Sequence, residues 1–130
     1  MKQIGDARCP CRKKSEPTTD AECCEPYHRG VAVPPTAKAS MRSRYSAFAM
    51  QNATYLLATW HPTTRPVELD FTPGQQWVLL EVVAVATDGD HATVEFTARS
   101  KIGGKLHGLH EVSRFVLEGG RWYYVNGIVR

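Results

Sequence analysis

Four cysteines stand as two close pairs, Cys9-Pro10-Cys11 and Cys23-Cys24, with eleven residues between the pairs. Four thiolates complete a tetrahedral structural zinc site, and close pairs leave little chain to order within each pair. A disulfide reading is weaker on geometry. Adjacent Cα atoms lie about 3.8 Å apart, below the usual disulfide window of about 4.4–6.8 Å, so a Cys23–Cys24 bridge would be strained. Cross-bridges such as Cys9 to Cys23 and reduced, metal-free thiols stay open as alternatives. His28, four residues past Cys24, is a substitute ligand, although a solvated loop histidine is the simpler reading. With all four positions filled by protein, zinc has no place for water, and the expected role is structural.

The next groups able to do chemistry, Glu81 and Glu111, take their meaning from the elements that position them. Residues up to 35 are rich in Pro and Cys and have almost no periodic apolar pattern, so they read as loop held by ligands. From Thr36, a helix cap, apolar residues Ala37, Met41, Tyr45, Phe48 and Ala49 recur at helical spacing and predict a helix over 37–50. Asn52 caps a second over 53–60, stopped by Pro62. Then the period shortens to two. Strands are expected at 77–87, 91–101, 106–117 and 121–128, with a short first strand at Val67 to Phe71. The pairs Asp88-Gly89, Gly103-Gly104 and Gly119-Gly120 between the four strands are two-residue hairpin turns and predict an antiparallel meander.

Two-residue turns fix the register: Phe96 lies between Glu81 and Glu111, and Ser113 faces both Val94 and Asn126. One face then carries Glu81, Phe96, Glu111, Ser113, Phe115, Trp122, Tyr124 and Asn126, and the helices should pack on it. Trp60, Phe96, Glu81, Glu111, Ser113, Tyr124 and Asn126 are the candidate pocket residues. An apolar setting raises a carboxyl pKa toward the range useful for proton transfer. Against this, Arg42 or Arg44 of the first helix offers Glu111 a structural ion pair. His61 reads as a cap or packed histidine, His107 and His110 point to opposite faces of a strand, and Arg99, Arg114 and Glu95 read as a surface charge ladder. There is no phosphate loop, nucleophile triad or dinucleotide fingerprint.

At 130 residues, 42% hydrophobic and 22% charged, the chain has room for one core and a small appendage. Sixteen basic against thirteen acidic residues leave +3, too mild and too mixed for a nucleic-acid footprint. No apolar run approaches the ~18–20 residues of a membrane span, and the start lacks a signal-peptide core, so a cytoplasmic protein is expected.

Several blocks together carry a resemblance. Cys9-Pro10-Cys11 to Cys23-Cys24-Glu25-Pro26-Tyr27 is similar to the SEC-C zinc motif, found also at the C-terminus of the SecA translocation ATPase. Met41-Arg42-Ser43-Arg44-Tyr45, Thr59-Trp60-His61-Pro62, Glu111-Val112-Ser113-Arg114-Phe115 and Arg121-Trp122-Tyr123-Tyr124 follow in an order that resembles the YchJ family. Arg12-Lys13-Lys14 stands where that motif usually has Gly-Ser-Gly. The resemblance implies an α+β fold: a SEC-C-like zinc knuckle and linker over 1–34, then a cystatin-like cone of the nuclear transport factor two superfamily over 35–130, with helices packed on a curved antiparallel sheet. It implies a protein or ribosomal partner for the knuckle, which Arg8, Arg12, Lys13, Lys14 and Arg29 could meet, and a small-molecule ligand for the cone. The expectation is a zinc-binding adaptor or small-ligand-binding protein rather than a catalyst. The alternative is an isomerase- or dehydratase-like enzyme using a pocket carboxylate as general acid or base. Val112, Val116, Tyr123 and Val125 form the apolar patch to watch for a dimer. Removal of zinc is expected to unfold the first ~30 residues and leave the cone intact, each part relying on its own contacts.

Overall fold

The computed structural model describes residues 8–12, 16 and 18–130, so Lys13 and Lys14 of the basic cluster lie outside the described residues. A 3-10 turn at Asp20–Glu22 leads into helix α1 (Glu25–His28), which carries Pro26 in its first turn, where a missing N–H costs nothing. Helix α2 (Ala37–Ala49) starts at Thr36, whose hydroxyl accepts from Ala39 N at 3.0 Å. Helix α3 (Ala53–Ala58) starts at Asn52, whose side chain accepts from Tyr55 N at 3.1 Å. Both caps are those read from the sequence.

Four antiparallel strands follow, β1 (Gln76–Asp88), β2 (His91–Ile102), β3 (Lys105–Glu118) and β4 (Arg121–Val129), in the order β1-β2-β3-β4. The Gly103-Gly104 and Gly119-Gly120 turns have positive φ at both glycines, the backbone that matches the right-handed twist of the flanking strands. Val67 to Phe71 forms no strand. Leu69 and Phe71 instead pack on a small second cluster with Ala47, Tyr55 and Leu56, so side-chain burial, not strand pairing, anchors this linker.

The β2–β3 register is the expected one throughout, with Phe96 opposite Glu111 and Val94 opposite Ser113. The other two hairpins depart from it. The first turn is Gly89-Asp90, with Asp88 opposite His91, and the ladder skips Val83 and Val78, so Phe96 faces Val82 and Glu81 faces Thr97. One extra residue turns the strand beyond it over. Leu80 thereby enters the core at 4% exposure, and Glu81 is exposed on the outer face. In β4 the ladder skips Val125, so Ser113 faces Gly127 while Asn126 pairs with Arg114 and is exposed.

Helix α2 lies across the inner face and packs on β1, β2 and β4. The main core joins Met41 and Tyr45 of α2 to Leu80, Val94, Phe96, Ala98 and Phe115 of the sheet. Cys9, Cys11 and Cys24 belong to that same core. No helix among the described residues is long and apolar enough to cross a membrane.

Candidate metal centre and cone cavity

The four cysteine sulfurs lie within 4.8 Å of one another, and all four are free thiols. The Cys11 sulfur is 3.6 Å from that of Cys9, 3.5 Å from Cys23 and 3.6 Å from Cys24, and the Cys23–Cys24 separation is 3.8 Å. A tetrahedron with metal–sulfur bonds of about 2.3 Å has edges of about 3.8 Å, so this donor set fits a thiolate-bound ion of zinc's size. Contacts with Cys11, Cys24 and Cys9, and more weakly Arg12, pull the Cys23 thiol down. Contacts with Cys11, Cys23 and Cys9, together with burial, push Cys24 up.

The surroundings hold this cluster in place. Ser46 Oγ of α2 is 3.3 Å from both Cys9 Sγ and Cys24 Sγ, and Arg12 Nε donates to Cys23 Sγ at 3.4 Å. Arg42 Nη2 donates to Cys11 O at 2.9 Å. His28 does not join the cluster: its Nε2 meets Ser43 O at 2.8 Å and its ring packs on Tyr55. Serines make this close approach possible. Ser40, Ser43 and Ser46 are all buried on α2, and their short side chains let β4, α3 and the clip, respectively, come near the helix backbone.

On the inner face of the sheet is a cavity of about 190 Å³ lined by Trp60, Phe96, Glu111, Ser113 and Tyr124, with Arg44, Met41, Tyr45, Phe48, Trp77, Ala98 and Leu109. Ser113 donates to Glu111 Oε2 at 2.7 Å. Arg44 is only 3% exposed, and its Nη1 donates to Leu56 O at 2.8 Å and Thr59 Oγ1 at 2.6 Å. Its guanidinium lies 5.1 Å from the Trp60 ring centroid and 4.6 Å from that of Tyr124, which pack edge to face on each other. Burial pushes Arg44 down to about 10, leaving it charged at neutral pH, and pushes Tyr124 up to about 12. No ion pair of 4.0 Å or less joins Glu111 to Arg42 or Arg44 among the described residues. Arg42 Nη2 is 4.0 Å from Glu16 instead. A larger depression of about 570 Å³, reached by His61 and Arg114, is an open hollow whose Thr87, Asp88, His91, Arg114 and Glu118 are all exposed.

The model of the YchJ middle NTF2-like domain matches residues 36–127, which span α2, α3 and almost the whole sheet. The chain belongs to the YchJ family. Among relatives of this YchJ chain, a UPF0225 protein of Polaromonas naphthalenivorans is 49% identical, over 92% of this chain and 95% of its own length. One of Cupriavidus metallidurans is 48% identical, over 97% and 92%. The crystal structure of a SEC-C motif-containing protein from Psychrobacter arcticus superposes with a TM-score of 0.81 at 31% identity, covering 98% of this chain and 85% of that one. The solution structure of a SEC-C motif-containing protein from Rhodopseudomonas palustris gives 0.80 at 30% identity, covering 88% and 94%. The YchJ chain is thus a SEC-C plus NTF2-like protein of α+β architecture.

Of the residues read as pocket-forming, Trp60, Phe96, Glu111, Ser113 and Tyr124 of this YchJ chain meet in one cavity. Glu81 and Asn126 do not, because the Val83 and Val125 bulges turn them to the outer face. Arg44 and Trp77 were not among them. A helix arginine read as an ion-pair partner gave no sign that it would lie buried between two rings, and Trp77 keeps the inner-face place opposite Ser100 that an unbulged register also gives it, because the Val78 bulge undoes the flip made at Val83. Among the histidines, His61 Nε2 meets Glu118 Oε2 at 2.9 Å and Nδ1 meets Thr63 Oγ1 at 2.7 Å, with the ring edge-on to Tyr123. The charge ladder is absent in its expected form, since Glu95 pairs with His110 at 2.6 Å.

Proposed function

We propose that this chain is a small-ligand-binding protein whose cone, residues 35–130, is the working part and whose knuckle, residues 1–34, holds one structural zinc ion on Cys9, Cys11, Cys23 and Cys24. The observation that carries the binding reading is Glu111, a half-buried carboxylate in an otherwise mostly apolar cavity, with Ser113 as its hydrogen-bond partner and no cation within ion-pair reach among the described residues. A concave, apolar site with a few fixed polar groups is what small-molecule recognition uses. Zinc is favoured by an all-sulfur donor set with no fourth position left for water, and reduced thiols suit the cytoplasm. Elemental analysis of protein purified without chelator should give about one zinc per chain, and iron or no metal would overturn that part. Native mass spectrometry of the same protein tests the cone, which should carry a small adduct that denaturation releases.

Docking through the knuckle is the weaker half of the adaptor reading. Arg12 is engaged with Cys23 and Glu16, and Arg29 with Glu25, so two of the cations offered to a partner are already paired within the chain. An acid–base enzyme is the second reading, favoured by the same unpaired Glu111. A two-carboxylate mechanism with Glu81 is not available to it, since the two groups lie on opposite faces of the sheet. Glu111→Gln separates the readings once a ligand is known: a catalyst loses turnover altogether, whereas a binding protein changes only its affinity.

A further inference from the structure

The ligand class follows from the charges and dimensions of the cone cavity, on the reading that the cone is a binding site. We propose that it takes a single-ring molecule, neutral overall, that carries a hydrogen-bond donor beside an acceptor. A primary carboxamide on a six-membered aromatic ring is the simplest example.

Size sets the first limit. An apolar protein cavity of about 150 Å³ holds one benzene, and this one, at about 190 Å³, has room for a ring and a small substituent. Phe96, Met41, Leu109, Phe48 and Trp77 supply apolar walls that reward a flat hydrocarbon body.

Polar groups set the second. Glu111 receives one hydrogen bond, from Ser113 on Oε2, and its Oε1 receives none among the described residues. A carboxylate has about four acceptor sites, so a ligand donor is matched there. Arg44 uses Nη1 on Leu56 O and Thr59 Oγ1, while its Nε and Nη2 make no hydrogen bond among the described residues. Trp60 Nε1 is buried with no partner. Both residues line the cavity, and the unbonded Arg44 Nε and Nη2 groups are the donors its wall offers to a ligand acceptor.

Charge sets the third. One guanidinium and one carboxylate share the cavity without forming an ion pair, and their potentials there partly cancel, so neither sign of charge is favoured throughout the site. An anion drawn to Arg44 meets Glu111, and a cation drawn to Glu111 meets Arg44. In a half-buried site each such mismatch is worth about tenfold or more in affinity. A neutral group with a donor on one side and a carbonyl on the other satisfies both walls.

Benzamide, benzoate and benzamidine have nearly the same shape and carry zero, negative and positive charge, and toluene has the ring without the polar group. The full chain with its metal, labelled with nitrogen-15, is titrated with each while the Trp60 indole N–H resonance is followed. Benzamide should move that resonance with the lowest dissociation constant, at least about tenfold below the other three. In Glu111→Gln, which removes the opposing charge and keeps the shape, benzoate should overtake benzamide. Benzoate, benzamidine or toluene binding as tightly as benzamide to the parent protein would overturn the proposed class and leave the cone as a binding site. If none of the four moved any resonance of the cavity, both readings would fall. Should Glu111→Gln not fold, the rank order on the parent protein decides alone.

Discussion

Ser46 stands at the meeting point of two sulfurs. A hydroxyl 3.3 Å from both Cys9 Sγ and Cys24 Sγ orients them, as the outer partners of a metal site do. Ser46→Ala should weaken retention of the metal ion by about 10–100-fold in competition with a chromogenic chelator. Helicity should be kept, because alanine is the better helix former. Retention equal to the parent would mean that Ser46 only fills space. Gly127 makes the complementary case on the cavity side, where a Cβ would run into the Glu111 carboxylate. Gly127→Ala should push the flexible Glu111 side chain aside and cost up to about 1 kcal/mol in denaturant unfolding. In a Glu111→Ala background most of that cost should vanish, and the double-mutant cycle measures how much of it is this one clash. Neither residue could be read ahead of the structure. A serine in mid-helix and a glycine near a strand end carry no mark of the partner they await.

Among the elements, what was legible is what short-range chemistry dictates. Thr36 and Asn52 start their helices because a side-chain oxygen meets an orphan N–H. Paired glycines close the second and third hairpins because they alone accept positive φ twice in succession without strain. Thr36→Ala should cost about 1 kcal/mol by chemical denaturation, with α2 still formed by its packing on the sheet. The bulges were illegible for an equally local reason. Val78, Val83 and Val125 are β-branched and suit an unbroken strand, so nothing in their type signals a skipped pairing. Every misplaced residue, Glu81 and Asn126 above all, lies past one of them. The β2–β3 pair has no bulge, and there Glu111 and Ser113 were placed as the structure has them.

For the whole molecule, the clip is not an appendage. Three of its cysteines sit in the main core with Met41, Tyr45 and Phe115, so the cone does not keep its core to itself. This removes the ground for expecting the cone to survive metal loss untouched. Chelation should lower the melting temperature of the entire chain in one transition, seen equally by far-ultraviolet circular dichroism and by tryptophan fluorescence. An unchanged second transition would instead assign the cone its own stability. The sheet has two margins, and they meet their surroundings differently. Along β4, the chain just after α3 pairs with Tyr124 through Tyr124 N to Thr59 O at 2.9 Å and His61 N to Tyr124 O at 2.8 Å, which closes part of that margin. Along β1 no strand pairs with the margin among the described residues, and it carries two kinks, at Val78 and Val83, both exposed. An open strand edge is a template on which further chains can stack into fibrils, and a kinked one is a poor template because its free N–H and C=O groups fall out of line. The same valines that obscured the register therefore guard against runaway self-association. A chain lacking Val83 keeps its pairs on either side and loses the kink. Under agitation it should bind an amyloid dye sooner than the parent.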